Sequence, residues 1–461
     1  MNHLESCQVS DFLGASFQCS CGREHSTHFS NYIIERDAIK KLPGLLNKLG
    51  YHRPFVLADT HTYAVAGKQV EAALTDADIP YKLHVLKSPE VGDLAADEAA
   101  MGSVAMAFDV KCDILISVGT GTINDLGRYF TYICGRPFML VATAPSMDGL
   151  VSGCAPLITN NLKITYDAHA PLALICDLDI MSQAPMKMLA AGVGDILGKY
   201  NCLCDWRLSS IINGEYYCET IAGIMRTAVE KTVESVDGLI KRDPEAVALL
   251  TEALTLSGIA MDFSGNSRPA SGAEHHQSHF WEMQFLFDHK PAVLHGTKVG
   301  IGTVLMLALY DHLKTMEKPD FAAIKATIPN RPSKDEWKAE ITRSYRLAAD
   351  GIIALEEKAG KNDTEKLTAR LDVIEEKWND IQQMVAALPS AKEIYDILDK
   401  LGAPKCPPDV EIKKEYVRDS ILYAKELRDR YTILQLMWDL GELPKLADKL
   451  ADKLADKYCG E

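Results

Sequence analysis

Between residues 54 and 177 the chain returns five times to a short, almost wholly apolar run that stops at a turn residue or a carboxylate. The runs are Pro54–Asp59, Tyr81–Leu86, Ile114–Val118, Phe138–Thr143 and Leu172–Asp177, with helix-length spacers between them. A strand that is apolar on both faces has to be covered on both faces, and strands joined by helical crossovers run parallel. The pattern therefore predicts an α/β domain over residues 1–184, a parallel sheet of the Rossmann-like kind. Ligands on such sheets sit at the carboxyl ends of the strands. Two loops fall there: Gly119-Thr120-Gly121-Thr122-Ile123-Asn124-Asp125 after the third run and Thr143-Ala144-Pro145-Ser146 after the fourth.

The period changes after Pro185. Leu189, Val193, Ile196, Leu197 and Tyr200 recur at helical spacing. Long helices are expected over 211–256 and 299–314, so residues 185–331 read as an all-helical domain. Residues 332–461, rich in Glu and Lys, read as a helical extension packed on or continuing that domain. Its end repeats Leu-Ala-Asp-Lys from Leu446 to Lys457. A four-residue period drifts around a helix, so its apolar stripe docks briefly and the remainder is solvated. A structural or oligomer-contact role is expected for this tail. A chain of 461 residues has room for two or three domains.

A formal net charge of -15 argues against a nucleic-acid partner, and an anionic ligand would need a local cationic pocket. No segment reaches the roughly 18 uninterrupted apolar residues of a membrane span. Met1-Asn2-His3-Leu4-Glu5 lacks the basic and apolar regions of a signal peptide. A cytoplasmic enzyme is the expectation. Twelve cysteines in so large a chain do not make a disulfide scaffold. Cys112, Cys154 and Cys176 read as small core residues and Cys202 with Cys204 as helix packing.

The chemistry concentrates further on. His275 and His279 are one helical turn apart in Ser271-Gly272-Ala273-Glu274-His275-His276-Gln277-Ser278-His279, and His295 follows in Leu294-His295-Gly296. With Asp195 upstream, these imidazoles and a carboxylate suit a catalytic divalent metal with an open coordination position. The Gly119–Asp125 turn, between a strand and a helix, suits a pyrophosphate at a helix N-terminus. It is not the full Gly-x-Gly-x-x-Gly pattern, and an ordinary capped turn reads as well. Asp59, ending a strand, can accept hydrogen bonds from an adenosine ribose or cap the next segment. Cys19-Ser20-Cys21-Gly22-Arg23-Glu24-His25 carries metal-type donors, but without a paired Cys-x-x-Cys no closed four-ligand site is visible.

Five blocks occur in order: Gly119–Asp125, Thr143–Gly149, Ala191–Lys199, Ser267-Arg268-Pro269-Ala270-Ser271-Gly272-Ala273-Glu274-His275 and His295–Gly300. Together they resemble the glycerol-1-phosphate dehydrogenase family, within the broader iron-containing alcohol dehydrogenase, glycerol dehydrogenase and dehydroquinate synthase superfamily. The resemblance covers about residues 17–320, and the Ser267–His275 block is its most specific part. It implies a dehydroquinate synthase-like architecture, NAD(H) or NADP(H), and one divalent metal: zinc, with nickel or iron as alternatives. Asp195, His275 and His295 would hold the ion. Asp195, His279 and Asp148 would carry catalytic or substrate contacts, with Arg268 a candidate for the substrate phosphate. Gly121, Thr122, Ile123, Asn124, Asp125, Thr143, Ala144, Pro145, Ser146 and Ser152 align with dinucleotide contacts, beside Asp59. Thr120 stands where the family often has glycine, and its side chain could crowd a pyrophosphate; Arg128 often corresponds to lysine. The implied reaction reduces dihydroxyacetone phosphate to sn-glycerol 1-phosphate, in a homodimer without nucleic-acid partners or membrane span. A glycerol dehydrogenase, a dehydroquinate synthase and a non-catalytic nucleotide-binding relative are the alternatives.

Overall fold

All five apolar runs are strands of one sheet in the computed structural model, which describes residues 7–89 and 92–455. The Met1–Glu5 segment, and Asp456 and Lys457 at the end of the terminal repeat, lie outside the described residues. The chain divides into two compact units, neither continuous in sequence. The first is Met1–Ile196 with Glu219–Ser267, and the second Leu197–Cys218 with Arg268–Glu461.

Among its described residues the first unit holds ten strands: β1 (Ser16–Gln18), β2 (Glu24–Ser26), β3 (Asn31–Glu35), β4 (Pro54–Asp59), β5 (Lys82–Leu86), β6 (Ile114–Val118), β7 (Phe138–Ala142), β8 (Cys154–Thr159), β9 (Leu162–Asp167) and β10 (Ala173–Asp177). Six form a parallel sheet in the order β3-β10-β7-β6-β4-β5. Alternation explains why the inner strands read as unbroken apolar runs. Val56, Ala58, Ile116, Val118, Met139, Val141 and Ile175 face one layer, which Leu42, Leu46, Val70 and Leu74 cover. Phe55, Leu57, Leu115 and Phe138 face the other, against Val104, Ile123, Leu126 and Phe130. Strand order reverses at β4, with β5 on one side and β6 on the other, and such a switch point opens a crevice at the strands' carboxyl ends.

Two features went unread in the sequence, and two of the expected helices fall in the first unit. β3 adds an edge strand beside β10, half-buried along its length and so without a strong apolar signal. β1–β2 and β8–β9 are antiparallel hairpins outside the main sheet. Two long helices, Glu219–Ile240 and Pro244–Ser264, also belong to this unit. The Pro244–Ser264 helix is long and apolar enough to cross a membrane, but its apolar window is 72% buried within the structure, where it serves as a core helix.

The second unit has no strands among its described residues. Its central helices are Lys199–Asn213, Ala273–Phe287 and His295–Thr315. Shorter helices from Phe321–Thr327 to Leu443–Ala455 pack around them. The tail is bonded into this core: Gln284 Nε2 donates to Ser344 O (2.8 Å) and Trp281 Nε1 to Tyr416 O (3.3 Å). In the closing helix Leu443, Leu446, Ala447 and Ala451 are buried, while Asp448 reaches out to Arg418.

Candidate active site

In the first unit the turn after β6 is shaped by two residues. Gly119 has φ +144°, and a Cβ there would stand 3.0 Å from Ile123 Cβ and 3.1 Å from Thr62 Cγ2, so a side chain would be both strained and crowded. Thr120 turns inward. Its Oγ1 donates to Ala144 O (2.8 Å) and accepts from Thr143 N (3.1 Å) and Ala144 N (3.0 Å). The hydroxyl therefore ties the β6 turn to the β7 loop. The helix Thr122–Cys134 starts at Gly121 with no side-chain cap, leaving an N-terminus of the kind that receives anions.

Asp59 Oδ1 accepts from His61 N and Thr62 N, both at 2.8 Å, so the capping role is real. Asn124, Asp125 and Ser152 are engaged beneath the turn. Asn124 Nδ2 donates to Gly149 O (3.2 Å). The fully buried Arg128 guanidinium donates to Ser152 Oγ (2.9 Å), Cys154 O (2.7 Å), Asp125 Oδ1 (3.4 Å) and the Gly149 carbonyl. This clamp fixes the 149–154 segment under the Thr143–Ser146 loop.

Asp148 and Asp195 meet in the same unit: Asp148 N donates to Asp195 Oδ2 (3.1 Å). Asp148 Oδ2 accepts from Ser257 Oγ (2.8 Å), a residue that nothing in the sequence singles out. The approach depends on Gly192, one turn before Asp195, because a Cβ there would lie 2.0 Å from Pro145 O.

In the second unit the three histidines converge. Ring centroids are 5.2 Å apart for His275 and His295, 5.6 Å for His279 and His295, and 6.4 Å for His275 and His279. His275 Nδ1 lies 2.6 Å from Glu274 Oε1, which also accepts from Gly272 N (2.8 Å). Nδ1 therefore carries the proton, and Nε2 presents a lone pair, the arrangement of metal-binding histidines. Glu274 lies inside the Ser267–His275 block, yet its role emerges only once its carboxylate is seen folded back on its neighbour. His279 Nδ1 faces Glu282 Oε2 (3.4 Å), and Glu282 also pairs with the buried Lys298 (3.1 Å). Behind them Asp205 accepts from Tyr310 OH (2.6 Å), Ala273 N (2.8 Å) and Ile433 N (2.7 Å). Burial, then the Glu274 charge, push its carboxyl up to about 7.

Arg268, the candidate for the substrate phosphate, and the buried Lys199 both have protein partners. Arg268 directs Nε at Glu215 (2.6 Å) and Nη2 at the same carboxylate, with Nη1 on Tyr431 O (3.3 Å). Lys199 Nζ donates to Ala270 O (2.9 Å). These bonds hold the 268–273 segment that leads into the histidine helix.

A parallel sheet with a switch point in an α/β unit, and a helical unit that carries a histidine cluster, are the architecture of the dehydroquinate synthase-like alcohol and glycerol dehydrogenases. The fold agrees. It matches glycerol dehydrogenase from Schizosaccharomyces pombe (TM-score 0.56, 15% identity, 98% of this chain and 95% of that one). It also matches NADH-dependent butanol dehydrogenase A from Thermotoga maritima (TM-score 0.58, 14% identity, 91% and 97%). Residues 33–185 match the iron-containing alcohol dehydrogenase family. A protein of Halalkalibacterium halodurans named glycerol-1-phosphate dehydrogenase [NAD(P)+] is 41% identical over 94% of this chain and 98% of its own length. A Bacillus licheniformis protein of the same name is 33% identical over 97% and 98%. The chain belongs to the glycerol-1-phosphate dehydrogenase family.

Proposed function

We propose that this protein catalyses the reversible NAD(P)H-dependent reduction of dihydroxyacetone phosphate to sn-glycerol 1-phosphate. The observation that carries the reading is the 41% identity, along nearly the whole chain, to a relative named for that activity. The uncapped helix N-terminus after Gly121 would receive the dinucleotide's phosphates, and the Asp59 carboxylate would favour a free ribose hydroxyl over a 2′-phosphate.

Asp195, His275 and His295 would hold one divalent ion. The His275 and His295 rings lie with centroids 5.2 Å apart, and the Glu274-fixed tautomer of His275 suits ligation through Nε2. Asp195 would add the carboxylate. When bound, the ion would supply Lewis-acid polarisation of the substrate's C2 oxygen, and the nicotinamide would supply the hydride. The donor set fits zinc, nickel or iron alike. Asp148, steadied by Ser257, orients a substrate hydroxyl. His279, with Nδ1 directed at Glu282, offers Nε2 to carry the proton to or from the substrate oxygen. A phosphate at Arg268 would have to compete with Glu215 for the guanidinium fork.

The test incubates metal-loaded protein with NADH and either dihydroxyacetone phosphate or dihydroxyacetone, and identifies the product enantiomer. NADH oxidation that needs the phosphate and yields sn-glycerol 1-phosphate is expected. Turnover of the unphosphorylated ketone alone would move the chain to glycerol dehydrogenase chemistry. Silence with both would leave a nucleotide-binding relative without this reaction. Asp195→Ala and His275→Ala should each lose the ion and most turnover, and full activity in metal-free variants would sink the ligand assignment.

A further inference from the structure

We propose that Cys19, Cys21, His25 and Cys218 form a closed structural zinc site, separate from the dehydrogenase chemistry and independent of which reaction the protein performs. Three of the donors ride on the β1–β2 hairpin. Its tip is a tight turn in which Cys19 N donates to Arg23 O and Gly22 N to Cys19 O, both at 3.0 Å. The turn puts Cys19 and Cys21 at the tip, and His25 follows on β2, 1% exposed.

His25 is prepared as a ligand. Its Nδ1 lies 2.7 Å from the carbonyl oxygen of Phe263. A carbonyl can only accept, so Nδ1 carries the hydrogen and Nε2 keeps its lone pair. That lone pair faces Cys21 Sγ at 3.3 Å. Metal-bound histidines use their second nitrogen in this way to fix ring orientation. The fourth donor comes from far along the chain. Cys19 Sγ lies 3.3 Å from Thr220 Oγ1, at the start of the Glu219–Ile240 helix. Cys218, fully buried, is bonded directly to the first residue of that helix.

One ligand atom from each of the four residues lies within 4.8 Å of the other three. Tetrahedral zinc, with bonds of about 2.3 Å to sulfur and about 2.0 Å to nitrogen, sets neighbouring ligand atoms roughly 3.3–3.8 Å apart, so only a small contraction is needed. None of the three cysteines is in a disulfide. Three thiolates and one imidazole are a soft tetrahedral set that selects zinc and fills every coordination position. Such a site has no room for a substrate. Its effect is to tie the N-terminal hairpin to the head of a core helix.

The test uses the full-length enzyme, purified under reductant, stripped of metal and reloaded with Co(II). Absorption from sulfur-to-cobalt charge transfer arises only where thiolate binds the ion, and Asp195, His275 and His295 contribute no sulfur. We expect that absorption together with the strong visible bands of tetrahedral cobalt. Cys21→Ser should lose the charge-transfer absorption, and its zinc content should fall by about one equivalent per chain. Cobalt uptake without the charge-transfer absorption, or an unchanged spectrum in Cys21→Ser, would overturn the site. Should that variant fail to fold, zinc-edge X-ray absorption on the unmodified enzyme decides: sulfur neighbours support the proposal, and a shell of nitrogen and oxygen alone refutes it. A disulfide between any two of the three cysteines in protein prepared under reductant refutes it as well.

Discussion

Thr120 shows how one side chain can change role without changing place. Besides standing where a pyrophosphate could be crowded, it satisfies two backbone N–H groups and one carbonyl of the neighbouring loop. Thr120→Val keeps the shape and removes those bonds. It should cost about 1–3 kcal/mol of stability and raise the KM for NAD(P)H more than it lowers kcat, as read by thermal melting and steady-state kinetics. Glu274 makes the complementary case. Glu274→Ala frees the His275 ring to rotate and change tautomer, and metal affinity should fall about 10–100-fold in a metal titration. An unchanged affinity would mean that the carboxylate only fills a buried space.

At the scale of elements, the site depends on close approach more than on the helices themselves. The helix Met186–Leu197 reaches the β7 loop because Gly192 has no side chain where Pro145 O passes. Gly192→Ala should force that loop away, separate Asp148 N from Asp195, and destabilise the protein by about 1–3 kcal/mol, with kcat/KM falling alongside Tm. A melting curve and rate like those of the parent would show that the helix simply slides. The hairpin β1–β2 was invisible in the sequence because its strands are three residues long, and strands that short carry too few alternations to register.

Across the molecule, the half-buried Asp288 and the buried Asp205 pull the pH dependence in opposite directions. Hydrogen bonds from Tyr416, Arg346 and Lys413 outweigh burial and hold the Asp288 carboxyl at about 2. A depressed carboxyl stabilises the fold above its unfolded value, and that contribution is lost as pH falls through about 2. Asp288→Asn should therefore cost about 1 kcal/mol at neutral pH, after allowing for solvent screening, and nothing in strong acid. Asp205 acts in the opposite sense: with its carboxyl at about 7, the folded state keeps a proton that the unfolded chain has released, so stability declines as pH rises toward 7. Denaturant melts of parent and Asp288→Asn across the acid range would check the first sign, because the two curves must converge at low pH. The long acidic tail also belongs to this scale. Ile433 N and Tyr431 O bond Asp205 and Arg268, so the tail is part of the frame that holds the histidine helix.

The sheet was legible because its signal is local: a strand buried on both faces must be apolar along its length, and each such run announces itself. The histidine motif was legible for the same reason, since His275 and His279 share one helical turn and one block of sequence. What the sequence alone did not determine is which groups face one another across long stretches of chain. Ser257 under Asp148, Ile433 on Asp205 and Cys218 near the Cys19–His25 hairpin have no neighbouring residues that mark them, because packing brings them together from segments separated by whole helices and strands. Local periodicity fixed the elements, and only the tertiary structure, through close-packing and the need to satisfy buried polar groups, decided how their side chains are used.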